Sequence, residues 1–379
     1  MTRCSVQIAA QYLTAGSGGI ARCARLTLLA LSQVCHISAA LAVEDGEPTQ
    51  VGQARTRAFA GKRPAFALAN TASAMSADVV FYDFAGTARA HRPLALLGKP
   101  SAIWAHGWEV WPGNLRADYA RTLRRASAVF VNSEHTRRRL AQSLPDLPNV
   151  HACWLGTEWD RDPTRSLPPR QGRQRMVLFV GRNDAMFAKG QDTLIEAWPE
   201  VVARVPDAVL CFVGGGDRLD RLRSLAATSP ASGSIRVLGQ LPDAEVATLY
   251  GRARLFAMLS NVEGFGLVYA EAMGHGLPIL TSTDDASHEV NLEGRTGYSV
   301  ARGDKPAIVE RIVGVLERDA LFAELSQNAF RHWSQSLCFS AFSDRFLGAV
   351  RDARLMRGPV PGSAAHAADH PAEHQDEGR

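Results

Sequence analysis

The alternation of short apolar runs, glycine-containing turns and helical patterns constrains the fold of this chain most strongly. Six runs have the length and composition of buried strands: residues 77–83, 127–133, 176–181, 208–214, 254–260 and 278–283. Helical patterns such as QDTLIEAWPEVVARV and DAEVATLYGRA lie between them. Strands that are buried on both faces have continuous apolar runs, as in parallel sheets. The alternation therefore predicts an α/β fold of βαβ units in doubly wound sheets.

The length of 379 residues favours two domains. A Pro- and Arg-rich stretch, DPTRSLPPRQGRQR, offers almost nothing to bury and divides the chain. We predict Rossmann-like domains at 1–168 and 169–335. Residues 336–356 should form a terminal helix that packs back toward the first domain, and 357–379 a disordered tail. Ligands of such sheets bind beyond the carboxyl ends of the strands, here in the cleft between the domains.

The composition excludes several classes of protein. No run of about 18 apolar residues occurs, so no helix is expected to span a membrane. Gln11 and Tyr12 interrupt the apolar stretch that a signal peptide would need. The six cysteines form no CxxC pair, which argues against a zinc site or a disulfide framework and for a reducing compartment. We therefore expect a cytoplasmic protein.

Positive charge is concentrated in the first half of the chain. Residues 1–168 contain 19 Lys and Arg against 12 Asp and Glu, whereas the rest contain 23 against 26. Much of the excess lies in 121–140, which is either a solvated helix surface or a face for an anionic membrane. No nucleic-acid module accompanies it, so we expect no nucleic-acid partner and consider peripheral association with the inner membrane face.

Two glutamates flank a glycine turn in the stretch EGFGLVYAE. Glu263 follows the predicted strand 254–260, and a helix is predicted to begin near Leu267. Gly264-Phe265-Gly266 lets backbone amides approach a ligand and exposes the helix N-terminus, which binds anions. Glu271 lies about one turn inside the helix, where its carboxylate can accept hydrogen bonds from ribose hydroxyls. A sugar nucleotide would satisfy these groups, although exposed helices also produce such pairs.

Two cations flank another strand-to-helix junction. Arg182 leaves the predicted strand 176–181, and Lys189 precedes the next helical pattern. Cations that converge on such a junction suit a diphosphate, and the alternative is a pair of ordinary surface cations.

The second half of the chain resembles a known family in the order and spacing of six motifs. They are FVGR…KGQDTLIEA, VGGGDRLDRLRSLA, IRVLGQLPDAEVATLY, EGFGLVYAE, AMGHGLPIL and EVNLEGRTGYSV. The span 176–300 resembles the C-terminal domain of retaining glycosyltransferases with the GT-B fold, glycosyltransferase family four or glycosyl transferases group 1. The chain departs from the family at DDASHEV, where Asp284 and Asp285 stand in place of Gly-Gly.

This resemblance implies that the domain at 1–168 binds the acceptor and the domain at 169–335 a nucleotide sugar. It also implies roles for the residues already singled out. Arg182 and Lys189 would hold the donor diphosphate, Glu263 would face the transferred sugar, and Glu271 would bind the ribose. Donor contacts would also come from the backbone at Gly264, Phe265, Gly266 and Leu267.

The first half resembles the family more weakly. Gly18-Gly19 is similar to the glycine loop over the donor phosphates, and His106 to a strand-end histidine that points at the reacting sugar, although a core histidine is the alternative. Three residues are predicted near the acceptor: Asp83 at a strand end, Trp108 as a stacking surface and Ser133 near the cleft.

The resemblance implies retaining transfer of a hexose, mannose or glucose, from a GDP- or UDP-linked donor. The acceptor would be a saccharide or a lipid-linked saccharide, as in bacterial exopolysaccharide enzymes. Arg182, Lys189 and the helix N-terminus would stabilise the leaving diphosphate, so neither a metal nor another cofactor is expected. Front-face substitution is favoured over a double displacement, since Glu263 is expected at the far hydroxyls of the sugar. His106 would orient the sugar or the acceptor.

Two other functions compete with this one. Gly16-x-Gly18-x-x-Ala21, with Glu44 and Asp45 near the end of a second strand, imitates the fingerprint of an NAD(P)-dependent oxidoreductase. A non-catalytic nucleotide-sugar binding protein on the same scaffold is the second alternative.

Overall fold

The computed structural model describes residues 4–160, 172–184 and 189–356. The predicted tail 357–379 and most of the predicted seam 162–175 lie outside these ranges. Two parallel sheets are each packed against helices, which confirms the α/β prediction of two doubly wound, Rossmann-like units.

The first sheet has seven strands in the order β5-β2-β1-β6-β7-β8-β9, all of them parallel. Successive residues of β1 face opposite sides: Ile8 packs into one apolar cluster and Ala9 into the other. A two-stranded antiparallel pair, β3 and β4, lies outside this sheet. The strands are β1 Ser5–Ala10, β2 His36–Ala42, β3 Gln50–Val51, β4 Ala54–Arg55, β5 Arg57–Ala58, β6 Val79–Tyr82, β7 Ser101–Ala105, β8 Ala128–Val131 and β9 Val150–Ala152.

Six α-helices connect these strands. They are α1 Gly19–Val34, α2 Arg63–Ala74, α3 Ala85–Ala88, α4 Arg92–Leu96, α5 Ala117–Leu123 and α6 Glu134–Ser143. The N-terminus of α1 is set by Gly18, whose φ of 94° is accessible to glycine at little cost. Helix α6 begins at a hydroxyl cap, since Ser133 Oγ accepts the Thr136 amide at 3.0 Å.

The second sheet has six parallel strands in the order β12-β11-β10-β13-β14-β15. They are β10 Met176–Val180, β11 Val209–Val213, β12 Ile235–Gly239, β13 Leu255–Ala257, β14 Ile279–Ser282 and β15 Gly297–Val300. The helices of this unit are α7 Gln191–Arg204, α8 Leu219–Thr228, α9 Asp243–Arg252, α10 Leu267–Gly274, α11 Lys305–Glu317 and α12 Asp319–His332.

The last helix, α13 (Phe339–Asp352), packs on the first domain after a π-helical turn over Trp333–Leu337. The Phe346 ring lies 5.3–6.1 Å from the rings of Phe81, Trp104 and Phe130, which belong to the first sheet. The buried aromatic face of α13 therefore completes the apolar core of the first domain.

The direction in which strands are added reverses at one point in each sheet. In the first sheet the reversal lies between β1 and β6, and in the second it lies between β10 and β13. Loops at the carboxyl ends of such neighbouring strands diverge and leave a crevice, which is where ligands bind in open α/β sheets. The predicted donor residues follow β10 and β13.

Candidate active site

The loop after β13 carries Glu263, and an ion pair holds its carboxylate. Lys189 Nζ contacts Glu263 Oε1, and the two side chains are 20% and 15% exposed. Lys189 lies just before α7, at the carboxyl end of the neighbouring strand β10. The structure thus joins one predicted diphosphate ligand and one predicted sugar ligand at the switch point of the second sheet.

Asp285 anchors the backbone of this loop. Its Oδ2 accepts a hydrogen bond from the Glu263 amide at 2.8 Å, and its Oδ1 accepts one from the Ser287 amide at 2.9 Å. Burial and, to a lesser extent, the nearby Glu263 carboxylate raise the pKa of Asp285 from 3.8 to about 6. The acidic residue that departs from the family pattern therefore positions Glu263.

Gly264 brings the two domains into direct contact. A Cβ atom on Gly264 would lie 1.6 Å from the carbonyl oxygen of His106. The same oxygen accepts a hydrogen bond from Asn132 Nδ2 at 2.7 Å. Only glycine permits this approach, so Glu263 in one domain and His106 in the other flank one narrow part of the cleft.

His106 lies just beyond β7, at the carboxyl edge of the first sheet. Its Nε2 donates to the Asp83 carbonyl oxygen at 2.6 Å, and its ring stacks on Trp104 with an interplanar angle of 12°. Burial lowers the pKa of His106, although the Glu109 carboxylate acts in the opposite direction. The imidazole is therefore neutral at pH 7, with its proton on Nε2 and a lone pair on Nδ1.

Helix α10 begins where sequence predicted, at Leu267. Gly266 precedes it with a φ of 87°, and no side chain caps the helix or places an acidic group in its first turn. Phe265 is buried and fixes the turn. The Tyr269 amide donates to the Gly266 carbonyl oxygen at 3.0 Å, which leaves the amides of Leu267 and Val268 at the positive end of the helix dipole. These two amides can bind a phosphate beside Lys189.

Glu271, on α10, contacts the opposite domain. Its Oε1 is paired with the Arg22 guanidinium of α1, and its Oε2 accepts from the Tyr250 hydroxyl at 3.3 Å. Burial raises the pKa of Glu271, while Arg22 lowers it. This carboxylate is thus directed toward the glycine loop of the first domain, where Gly18 and Gly19 are exposed at the start of α1.

Arg182 and Lys189 pair with different carboxylates. The Arg182 side chain is 75% exposed and forms an ion pair with Asp184, with Nε at 2.6 Å from Oδ2. The structure leaves Lys189 and the α10 amides as the groups that converge on one place.

The three residues predicted near the acceptor have structural contacts. Asp83 is buried, and its Oδ2 accepts the Gln11 amide at 2.6 Å. Ser133 is buried as the cap of α6. Trp108 is partly buried in a 3-10 turn and packs against the apolar cluster of the first domain.

Sequence reasoning missed one further interdomain contact. Glu289 follows β14, and its carboxylate accepts the backbone amides of Glu134 and His135 at the N-terminus of α6. It also accepts from Trp154 Nε1 at 3.3 Å. As with Arg22, no sequence pattern near Glu289 indicates this contact, because the partners of Glu289 lie more than 130 residues away along the chain.

Among the described residues, no group of three or more His, Cys, Asp or Glu side chains could hold a metal ion. The same part of the chain contains no helix with the length and apolar content needed to cross a bilayer.

The arrangement of the two sheets matches that of solved glycosyltransferases. A sucrose-phosphate synthase of Thermosynechococcus elongatus aligns with a TM-score of 0.75 at 18% identity, over 92% of this chain and 99% of that one. The HepE protein of Anabaena, in complex with UDP and glucose, aligns with a TM-score of 0.73 at 17% identity, over 92% of this chain and all of that one. These matches define the fold as GT-B, as predicted.

Sequence comparison identifies the family. The profile described as Glycosyl transferases group 1 matches residues 160–332. A GDP-mannose-dependent alpha-(1-6)-phosphatidylinositol monomannoside mannosyltransferase of Mycolicibacterium smegmatis is 33% identical over 268 residues, which cover 64% of this chain and 69% of that protein. A phosphatidyl-myo-inositol mannosyltransferase of Mycobacterium tuberculosis is 39% identical over 159 residues, which cover 40% of each chain. The chain belongs to the glycosyl transferases group 1 family and is a glycosyltransferase.

Asp45 argues independently against the oxidoreductase alternative. A dinucleotide-binding acidic residue would need a free carboxylate for the ribose. Asp45 is buried, and its Oδ2 accepts the amides of Leu13 and Thr14 at 2.9 and 3.1 Å. Asp45 therefore shapes the glycine loop, and the other candidate, Glu44, pairs with Arg63 at 3.4 Å.

Proposed function

We propose that this glycosyltransferase moves mannose from GDP-mannose to a lipid-linked acceptor, with retention of the anomeric configuration. The observation that carries the donor site is the convergence of Lys189, Glu263 and the uncapped α10 N-terminus opposite His106. The choice of mannose and of a lipid acceptor is supported by the two mycobacterial relatives, whose names specify these substrates.

The leaving diphosphate gains negative charge as the glycosidic bond breaks. Lys189 and the α10 amides would stabilise that charge, and Lys189 would exchange its contact with Glu263 for the phosphate oxygens. Glu263 would then accept hydrogen bonds from sugar hydroxyls, with its position fixed by Asp285. The Glu271 carboxylate would accept hydrogen bonds from the ribose hydroxyls at the other end of the nucleotide.

Retention follows in this proposal from front-face substitution. The leaving phosphate oxygen takes the proton of the acceptor hydroxyl on the same face of the sugar. His106 is not the nucleophile, since its Nε2 is bound to the Asp83 carbonyl and its ring is held against Trp104. Its Nδ1 lone pair would accept a hydrogen bond from a sugar hydroxyl and so orient the donor.

Replacement of the central ion pair tests this assignment. Lys189→Ala and Glu263→Gln should each lower kcat for mannosyl transfer by about 10²-fold or more, the usual cost of removing one stabilising group. Lys305→Ala and Glu200→Gln are matched controls, because these residues form a 2.7 Å ion pair in the same domain with both side chains about half exposed. Wild-type turnover in either cleft variant would overturn the site.

The donor and the stereochemistry need separate measurements. Turnover should be highest with GDP-mannose in a panel that includes UDP-glucose, and NMR should show the product in the α configuration of the donor. Preference for UDP-glucose would overturn the sugar assignment, and a β product would overturn retention.

A further inference from the structure

Two histidine rings meet where the domains face each other. His135 lies in the first turn of α6, and His288 lies in the 3-10 turn Ala286–Glu289 that follows β14. Their ring centroids are 6.2 Å apart, with an interplanar angle of 78°. The His135 ring also packs edge-on against Trp111 of the first domain, at 5.2 Å. His135 therefore connects the first domain to the turn that carries His288.

The turn Ala286–Glu289 also adjoins the loop that carries Glu263. Nδ1 of His288 donates to the carbonyl oxygen of Asp285. The Asp285 carboxylate in turn holds the Glu263 amide, and the Ala286 amide donates to the Glu263 carbonyl oxygen at 3.1 Å. Contacts thus run without a gap from α6 through the two histidines to the residue expected at the donor sugar.

Positive charge on His135 is unfavourable at this position. The first turn of a helix is the positive end of its dipole, which opposes a cation there. The charges of Arg138 and Arg139, both on α6, and the His288 ring of the second domain also act against a proton on His135. Burial and, to a lesser extent, these three side chains lower the pKa of His135 from 6.5 to about 4. The contact between the two rings therefore forms with His135 neutral.

The carboxylates nearby have other partners. Glu289 accepts hydrogen bonds from two backbone amides at the start of α6 and lies 3.8 Å from an arginine of that helix. Glu134 forms an ion pair within α6, and Asp285 accepts the two backbone amides described above. Among the residues that the structure describes, no carboxylate forms an ion pair with His135 or His288. A proton on His135 would therefore gain no ion pair.

We propose that His135 and His288 are positioning residues, which hold the Glu263 loop in place while both rings are neutral and release it when His135 takes up a proton. The inference rests on the proposed function, because that function assigns Glu263 to the donor sugar. An imidazole that leaves the contact regains a pKa near 6.5, so the separated form binds more protons than the paired form between about pH 4 and pH 6.5. The contact is therefore complete above about pH 6.5 and weakens as pH falls, by about tenfold at pH 5.5.

The pH dependence of kcat/KM for mannosyl transfer tests the proposal. His135→Phe keeps a ring against Trp111 but cannot take up a proton. At pH 8 its kcat/KM should lie within about threefold of wild type, whereas its loss of kcat/KM between pH 8 and pH 5.5 should be about tenfold smaller than that of wild type. His135→Gln, which is also neutral, should show the same shallow profile and so separates the effect of the proton from the shape of the ring.

Replacement of His288 tests the link to Asp285. His288→Ala removes the donor to the Asp285 carbonyl oxygen and should lower kcat at pH 8 by about tenfold through partial misplacement of Glu263, with GDP affinity within about threefold of wild type. His288→Asn places an amide N–H near the position of Nδ1 and should restore most of the turnover.

His36→Gln supplies the matched control, since His36 is an exposed histidine at the start of β2. Its pH profile should be that of wild type. The proposal is overturned if His135→Phe and wild type lose kcat/KM equally between pH 8 and pH 5.5, or if His36→Gln flattens the profile as much as His135→Phe does. Wild-type kcat in His288→Ala would also overturn it.

Hydrogen exchange of the Glu263 amide separates this inference from the proposed function, because it needs no donor. Its protection factor should fall between pH 7 and pH 5.5 by more in wild type than in His135→Phe. Asp285 titrates in both proteins, so the comparison isolates His135. An equal fall in the two proteins would overturn the inference. If protection follows the expected pattern while Glu263→Gln retains wild-type turnover, the proposed function fails and the positioning of the loop is supported.

Discussion

Replacement of Gly264 by Ala should separate the two halves of the active site. The new Cβ would lie 1.6 Å from the His106 carbonyl oxygen and 2.7 Å from the carbonyl carbon. Both atoms are backbone, so no flexible side chain can move aside. The φ of Gly264 is not in the positive range, so alanine adds no backbone strain at this position.

The size of the effect follows from this geometry. Cβ atoms essentially never approach other heavy atoms closer than 3.0 Å, so the loop and the His106 backbone must move apart by about 1.4 Å. Misplacement of reacting groups by about 1 Å can cost about 10²-fold in rate. We therefore expect kcat for transfer to fall by about 10²-fold, while GDP affinity changes less, because Lys189 and the α10 amides belong to one domain.

Steady-state kinetics and nucleotide titration calorimetry measure the two quantities. Gly303→Ala is the control, since a Cβ there meets nothing within 4 Å and the residue lies in the same domain. Turnover of Gly264→Ala within threefold of wild type would refute the reasoning, and so would an equal loss in Gly303→Ala.

Two further predictions concern buried carboxylates. Burial raises the pKa of Asp83 from 3.8 to about 7. Between these two pH values the folded state binds more protons than the unfolded state. The contribution of Asp83 to the free energy of unfolding therefore falls as pH rises from about 4 to 7. Asp83→Asn should remove this decline, and urea unfolding at pH 5 and pH 8 measures the free energy of unfolding at both ends. If the variant loses as much stability between these pH values as the wild type, the prediction is wrong. Glu289→Ala should lower the free energy of unfolding by about 2 kcal/mol, since two amides of α6 lose a charged acceptor. Hydrogen exchange should accelerate at the amides of Glu134 and His135. Unchanged exchange at these amides would contradict the prediction.

The α/β fold could be predicted from the sequence because six strands, among them β6, β8 and β10, carry continuous apolar runs of their own. Strand β10 was predicted at 176–181 and lies at Met176–Val180, and α10 begins at Leu267 as predicted. A continuous apolar run indicates a strand that is buried on both faces, and a glycine indicates a turn. Both inferences depend only on residues that are neighbours in the sequence. The GT-B fold and the family were implied by the resemblance of six motifs to a known family, and the comparisons confirm both.

The contacts between domains could not be predicted in this way. Arg22 and Glu271 are 249 residues apart in sequence, and nothing near either residue indicates the other. Arg182 shows the converse limit: its position at a strand end predicted a diphosphate ligand, but a side chain of this length also reaches Asp184 two residues away. Its role as a phosphate ligand stays a prediction.

A crystal structure with GDP-mannose or GDP tests the central claim most directly. The account predicts that the diphosphate lies within hydrogen-bond distance of Lys189 Nζ and the first amides of α10, with the ribose on Glu271. A nucleotide bound elsewhere, or an interdomain cleft without nucleotide at saturating ligand, would contradict it.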